Sequence, residues 1–151
     1  MEQSFFLGLT VQVAAVLGAA FGVYWGLRGV RKQIWIGIFT QYTTRYSEVF
    51  DGLPLPIRSP GLDKKLKMMD ENLKCDVLNV MRRYLNLCSE EMYLAENGYL
   101  EDGAWEIWQT GIRDSMRLPI FTEAWNALNS EYGFYPKFQD FINNLAPSPV
   151  T

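Results

Sequence analysis

From Phe5 to Leu27 the chain carries no charge, and 17 of those 23 residues are apolar. As a helix this stretch rises about 34 Å, enough to cross a hydrocarbon core of roughly 30 Å. The pattern therefore predicts a membrane span. Only Met1, Glu2, Gln3 and Ser4 precede it. They lack the basic n-region of a cleaved signal peptide, and the apolar run is too long for one, so a signal anchor is expected. Helical periodicity continues beyond Leu27. Ile34, Ile38, Tyr42 and Tyr46, flanked by Trp35, Phe39, Val49 and Phe50, form an i, i+4 apolar face, and no proline intervenes before Pro54. One helix is expected over about residues 5–50. Its weak points are Gly29 and Gly37, each costing about 1 kcal/mol relative to Ala. Residues 51–61 hold three prolines and two glycines, which break the helix and predict a loop.

Beyond the loop the spacing is again helical. Leu66, Met69, Leu73, Val77, Met81, Tyr84 and Cys88 keep intervals of three and four, from Leu62 to a stop at Asn97-Gly98, with a break expected near Asp70. A third helix starts near Asp102, with Trp105, Trp108, Ile112 and Met116 inward. Pro119 opens a fourth, with Phe121, Trp125 and Leu128 on one face, and Pro136 a fifth, with Phe138, Phe141, Ile142 and Leu145. No run alternates like a strand. The expected fold class is all-α: a long N-terminal transmembrane helix continuing into a juxtamembrane helix, then a small cytoplasmic bundle of about four helices. The domain boundaries that follow are 1–50 for the long helix, 51–61 for the loop, 62–146 for the helical domain and 147–151 for a flexible tail.

Composition sharpens this organisation. The average of 48% apolar residues resembles an ordinary soluble domain, but the apolar excess sits in the first 27 of 151 residues. What remains has room for one core, which excludes a multi-domain enzyme or a polytopic transporter. The chain contains no His, so His-based triads, HExxH zinc sites and Glu-x-x-His di-iron sites are excluded. Charge is divided: residues 28–61 carry five basic and two acidic side chains, residues 62–151 nine basic and fourteen acidic. Arg28, Arg31 and Lys32 directly follow the span, with Tyr24 and Trp25 at interface depth, so the positive-inside rule predicts an outward N-terminus and a cytoplasmic C-terminal domain. An acidic domain is a poor general binder of nucleic acid. Cys75 and Cys88 lie about 20 Å apart along one helix, beyond disulfide reach, and are expected as free thiols.

The span carries a second pattern. Gly8, Gln12, Ala15, Ala19, Gly22, Gly26 and Gly29 follow alternating steps of four and three, which places small residues and the one amide on a single stripe. Helices in lipid associate where small residues let backbones approach and a polar group finds a partner, so the stripe predicts homo-oligomerisation or packing on another membrane protein.

Met81-Arg-Arg-Tyr-Leu-Asn-Leu-Cys-Ser-Glu-Glu91, with Trp105-Glu-Ile-Trp108, Gly111-Ile112 and Pro119-Ile-Phe-Thr-Glu-Ala-Trp125, resembles a family of small bacterial proteins with one N-terminal membrane helix and a cytoplasmic helical domain. The resemblance implies a bacterial inner-membrane protein and supplies no activity, catalytic residue or ligand.

Two groups of side chains bear on chemistry. Glu90 and Glu91 could act as acid and base or hold a metal ion, but neighbours on a helix point about 100° apart, so pairing across the bundle is the simpler expectation. Arg82, Arg83, Arg113 and Arg117, walled by Trp105 and Trp108, are the candidate anion-binding set, suited to a nucleotide. The simpler expectation is that the Trp residues at helical spacing are core and that the arginines pair with the fourteen acids of this region. No phosphate loop, nucleophile elbow or metal-ligand cluster appears, so no cofactor and no metal are expected. The expected function is assembly by protein–protein interaction without catalysis. The alternatives are a membrane-anchored sensor of a small anionic ligand and an accessory subunit of a larger membrane complex.

Overall fold

The computed structural model describes residues 2–58, 65–100 and 102–145, with the backbone alone described for residues 2–14, 31, 56, 58 and 102. The described residues are all-helical and include no strand. They form α1 Glu2–Asp51, α2 Leu55–Arg58, α3 Glu71–Glu96, α4 Asp102–Met116, α5 Pro119–Leu128 and α6 Pro136–Leu145, with 3-10 turns at Leu66–Met68 and Asn129–Tyr132. The chain divides into two compact units, Met1–Ile38 and Phe39–Thr151.

In the first unit α1 has no polar face over residues 15–27. Val16, Leu17, Phe21, Val23, Tyr24, Trp25 and Leu27 are all more than half exposed. At about 100° per residue these large side chains cover one side, while Ala15, Gly18, Ala19, Gly22, Gly26 and Gly29 share an arc of about 100° on the other. A Cβ added at Gly18, Gly22, Gly26 or Gly29 would meet nothing within 4 Å. Among the described residues no helix is long and apolar enough to cross a membrane. The span expected over 5–27 begins on side chains 5–14, outside the described residues, and Gly8 and Gln12 of the stripe lie there too.

The second unit begins at Phe39, where the sequence places the domain boundary at residue 62. The reason is the C-terminal part of α1: Tyr42 is buried, and Tyr46, Val49 and Phe50 pack against the core. The segment expected as a bare loop is also part of the fold. Leu53 and Ile57 are buried, and the chain between them turns into the short α2, with Pro54 before it and Pro56 in its first turn, where a missing N–H costs nothing.

The second long helix starts at Glu71, at the break expected near Asp70, and does not extend back to Leu62. The Asp70 carboxylate caps it by accepting from the Leu73 N–H at 2.9 Å, and the buried Leu66 sits upstream in a 3-10 turn. At its other end Asn97-Gly98 stops α3 as expected. Gly98 takes φ of 70°, while the Tyr99 and Gly98 N–H groups bond back to the Leu94 and Ala95 carbonyls at 2.9 and 3.1 Å, a Schellman motif. Pro119 and Pro136 open α5 and α6.

The core lies where α3 meets α4 and α5, with α6 packed on α4 and on the second 3-10 turn. Val77, Met81, Tyr84 and Cys88 of α3 meet Ile112 and Met116 of α4 and Phe121 and Trp125 of α5, all at most 2% exposed. Two of the large core aromatics have their polar atoms paired. The Trp125 indole donates to Asn143 Oδ1 at 2.8 Å, and the Tyr132 hydroxyl donates to Asn86 Oδ1 at 2.9 Å.

Candidate functional site

The polar chemistry of the bundle concentrates where the end of α1 crosses the C-terminal half of α3. Arg45 and Tyr46 stand three and four residues after Tyr42 on α1, so the three share one face, and this face meets Glu90 and Glu91. The Arg45 guanidinium forks onto Glu90, with Nη1 on Oε2 and Nη2 on Oε1, while the Tyr42 hydroxyl donates to Oε2 at 3.2 Å. Arg45 also lies 5.3 Å from the Tyr42 ring centroid. The bond to Arg45 lowers the Glu90 pKa and so keeps it ionised; burial, and next the Glu90 charge, push the Tyr42 phenol up to about 12.

Glu91 sits in different surroundings. It is wholly buried, accepts from the Tyr46 hydroxyl at 2.7 Å through Oε2, and among the described residues has no partner for Oε1. Burial raises its pKa to about 8; the Tyr46 hydrogen bond and the Arg45 charge work in the opposite direction, and the Glu90 charge adds to the rise. Tyr46 also contacts Cys88 Sγ at 3.7 Å. The Tyr46 hydroxyl thus stands between the Cys88 thiol and the Glu91 carboxyl. Burial raises the pKa values of Cys88, Tyr46 and Tyr84, so all three stay neutral at ordinary pH. The adjacent carboxyls do different work, Glu90 as a charged anchor for α1 and Glu91 as a buried acid that is protonated near neutral pH.

Two cavities flank this joint. The larger, about 770 Å³, lies between the end of α3 and the segment Phe134–Lys137, with Tyr42, Tyr93, Leu94, Phe134, Tyr135 and Pro136 supplying most of its wall. The smaller, about 260 Å³, is lined by Arg45, Glu48, Val49, Arg83, Asn86, Leu87 and Glu90.

The candidate anion set does not come together in either cavity. Arg82 forks onto Glu131 at 2.7 and 2.9 Å and binds Asn79, and Arg117 pairs with Asp114 of its own helix at 3.0 Å. Arg113 is exposed on α4, and Arg83 lines the smaller of these two cavities together with Arg45. Trp105 packs on Phe141, and Trp108 on Phe39 and Tyr42, so both belong to the packing. Among the described residues no group of His, Cys, Asp and Glu could hold a metal ion. Cys75 is exposed and Cys88 buried, both as free thiols.

Sequence reasoning saw Glu90 and Glu91 as a pair and Tyr42 and Tyr46 as apolar face residues, and missed Arg45 altogether. The available signal was the Tyr-x-x-Arg-Tyr spacing, which sets two phenols and a cation on the face that meets the acids. Comparison of the chain with family models, curated proteins and solved structures gave no match.

Proposed function

We propose that this protein is a single-pass inner-membrane protein of a bacterium, anchored by α1 with its helical domain in the cytoplasm, and that it acts by protein–protein interaction and homo-oligomerises through the membrane helix. One observation carries the reading: over residues 15–27 the described part of α1 exposes large apolar side chains on one side, small residues on the other and no polar face. A helix hydrophobic all round is stable only inside a protein or a bilayer, and exposure of so many large side chains to water is strongly unfavourable. The uncharged run extends back to Phe5 in the sequence, and Arg28, Arg31 and Lys32 close it on the cytoplasmic side. The stripe through Gly8, Gln12, Ala15, Ala19, Gly22 and Gly26 is the surface for self-association, where small side chains let a second helix approach.

Within the second unit, the Tyr42, Arg45 and Tyr46 contacts tie the C-terminal part of α1 to α3. Two measurements test the proposal. Membranes washed with alkaline carbonate should retain the protein, and release into the supernatant would rule out the anchor. The protein purified in mild detergent should have a protein mass that is a multiple of 17.4 kDa. A single-chain mass would overturn homo-oligomerisation, and a stoichiometric second polypeptide would favour the accessory-subunit alternative.

A further inference from the structure

The larger cavity has walls from two different elements and a neutral charge balance, and together these define a class of occupant. From α3 come Tyr93 and Leu94; from the connection into α6 come Phe134, Tyr135 and Pro136. Tyr93 and Phe134 line the cleft from separate elements and are 55% and 75% exposed, Phe134 touching only the Tyr132 ring at 6.0 Å among the described aromatics, so both offer ring surface to a ligand. Such rings gain from covering their faces with another flat ring. The volume of about 770 Å³ falls in the range of small-molecule sites, roughly 300 to 1,000 Å³.

The charges bordering the cleft are already paired within the protein. Glu90 is held by Arg45 and the Tyr42 hydroxyl, and Glu96 by Lys137 Nζ at 3.2 Å and the Tyr135 hydroxyl at 2.8 Å. Two carboxylates and two cations cancel. A charged ligand would have to break one of these pairs or bring an unmatched charge against an apolar wall, whereas a neutral one leaves all of them intact. Hydrogen-bonding capacity remains at the edge. The Tyr93 hydroxyl has no partner among the described residues, and Asn97 uses its Nδ2 on the Tyr93 carbonyl at 2.8 Å, leaving Oδ1 to accept.

We propose that the cleft between α3 and the segment Phe134–Lys137 binds a neutral, planar aromatic small molecule, its ring between Tyr93 and Phe134 and an edge hydroxyl or carbonyl at Tyr93 and Asn97. This goes beyond assembly and does not depend on membrane anchoring, since every residue used belongs to the second unit.

The test uses the full chain in detergent. The protein is irradiated with the neutral carbene probe 3-trifluoromethyl-3-phenyldiazirine, with and without excess N-phenyl-1-naphthylamine, and the labelled positions are mapped by peptide mass spectrometry. Label is expected at Tyr93, Leu94 and Phe134 and should fall about tenfold with competitor, as displacement from a single saturable site requires. The double variant Tyr93→Ser, Phe134→Ser should lose the competed label; both side chains are exposed, so the core remains, and unchanged helical circular dichroism verifies that. Label on the apolar part of α1 is not saturable and serves as the internal control. The proposal is overturned if cleft label resists competition or does not exceed label at Ile107, an exposed apolar residue on α4. It is equally overturned if 1-naphthalenesulfonate or N-methylquinolinium competes as well as the neutral amine, or if 1-dodecanol competes better, which would indicate an acyl-chain site.

Discussion

Glu91 has one hydrogen-bond donor for two oxygens, and its side chain is sealed from solvent. The proton it holds up to a pKa of about 8 in the fold is released in the unfolded chain near the ordinary 4.5. Between those values the folded state binds more protons than the unfolded state, so this group's contribution to stability is complete below about pH 4.5, declines as pH rises through the window, and is flat above about pH 8. The total is on the order of 3 to 5 kcal/mol. Glu91→Gln keeps the shape and an acceptor for Tyr46 but cannot ionise. Urea unfolding followed by circular dichroism at pH 5, 7 and 9 should show a flatter profile for this variant, with the wild type overtaken at pH 9. An unchanged slope would mean that the pH dependence arises elsewhere. Tyr46→Phe removes the only donor to the carboxyl, so it should destabilise the bundle by about 1 to 3 kcal/mol at pH 7 and move the transition to higher pH. Within reach of Glu91, Arg45 and Glu90 carry charge, while Tyr42, Tyr84 and Cys88 stay neutral, which leaves the two glutamates as the groups titrating below pH 9 at this joint.

Helix ends give the clearest tests at the next scale. Gly98 occupies the left-handed region at φ of 70°, and an L side chain is strained there. Gly98→Ala should cost about 1 to 2 kcal/mol and lower Tm. Gly111, in the interior of α4, has no neighbour within 4 Å of an added Cβ. Gly111→Ala should therefore stabilise by up to about 1 kcal/mol, the opposite sign for the same chemical change. Equal shifts for the two variants would contradict the placement of either glycine. In α1 the relevant surface is the small-residue stripe. Gln12→Leu with Gly22→Ile should abolish the signal of a membrane dimerisation reporter fused to residues 1–38, because an Ile side chain at Gly22 holds the backbones apart. A signal of wild-type strength would remove the stripe as the association surface.

At the scale of the whole molecule the proposed anchor raises the question of which side of the membrane the domain would occupy. Cys75 is exposed and Cys88 is buried, so one thiol reports topology without engineering. In intact spheroplasts a membrane-impermeant maleimide should leave the protein unlabelled, and permeabilisation should give one adduct per chain. Labelling before permeabilisation would place the domain outside and reverse the proposed orientation. The basic residues 28–32 set the expectation, and replacing Arg28, Arg31 and Lys32 with Asn while adding Lys residues before Phe5 should weaken or invert it in the same assay.

Local patterns were sufficient for much of this protein. The all-helical class follows from apolar steps of three and four. The starts of α5 and α6 follow from Pro119 and Pro136, and the end of α3 from Asn97-Gly98, because each depends on backbone chemistry within a few residues. The inward positions Val77, Met81, Tyr84, Cys88, Ile112, Trp125 and Ile142 were legible for the same reason. The break at Asp70 was legible, but not the conformation before it, since Leu66 keeps the helical spacing yet is buried from a 3-10 turn. The joint was legible only in parts. That Arg45 chooses Glu90, that Tyr46 reaches Glu91, and that adjacent carboxyls are one ionised and one buried depends on partners about 45 residues away and on which side of α3 faces inward. Two of the four arginines pair with acids, as their acidic surroundings suggest: tertiary packing put Glu131 beside Arg82, while Asp114 stands one turn from Arg117 on the same helix. Periodicity determined the elements because it is a property of the backbone repeat. Charge pairing and the open aromatic cleft were decided by the tertiary structure, because they exist only where separate elements meet.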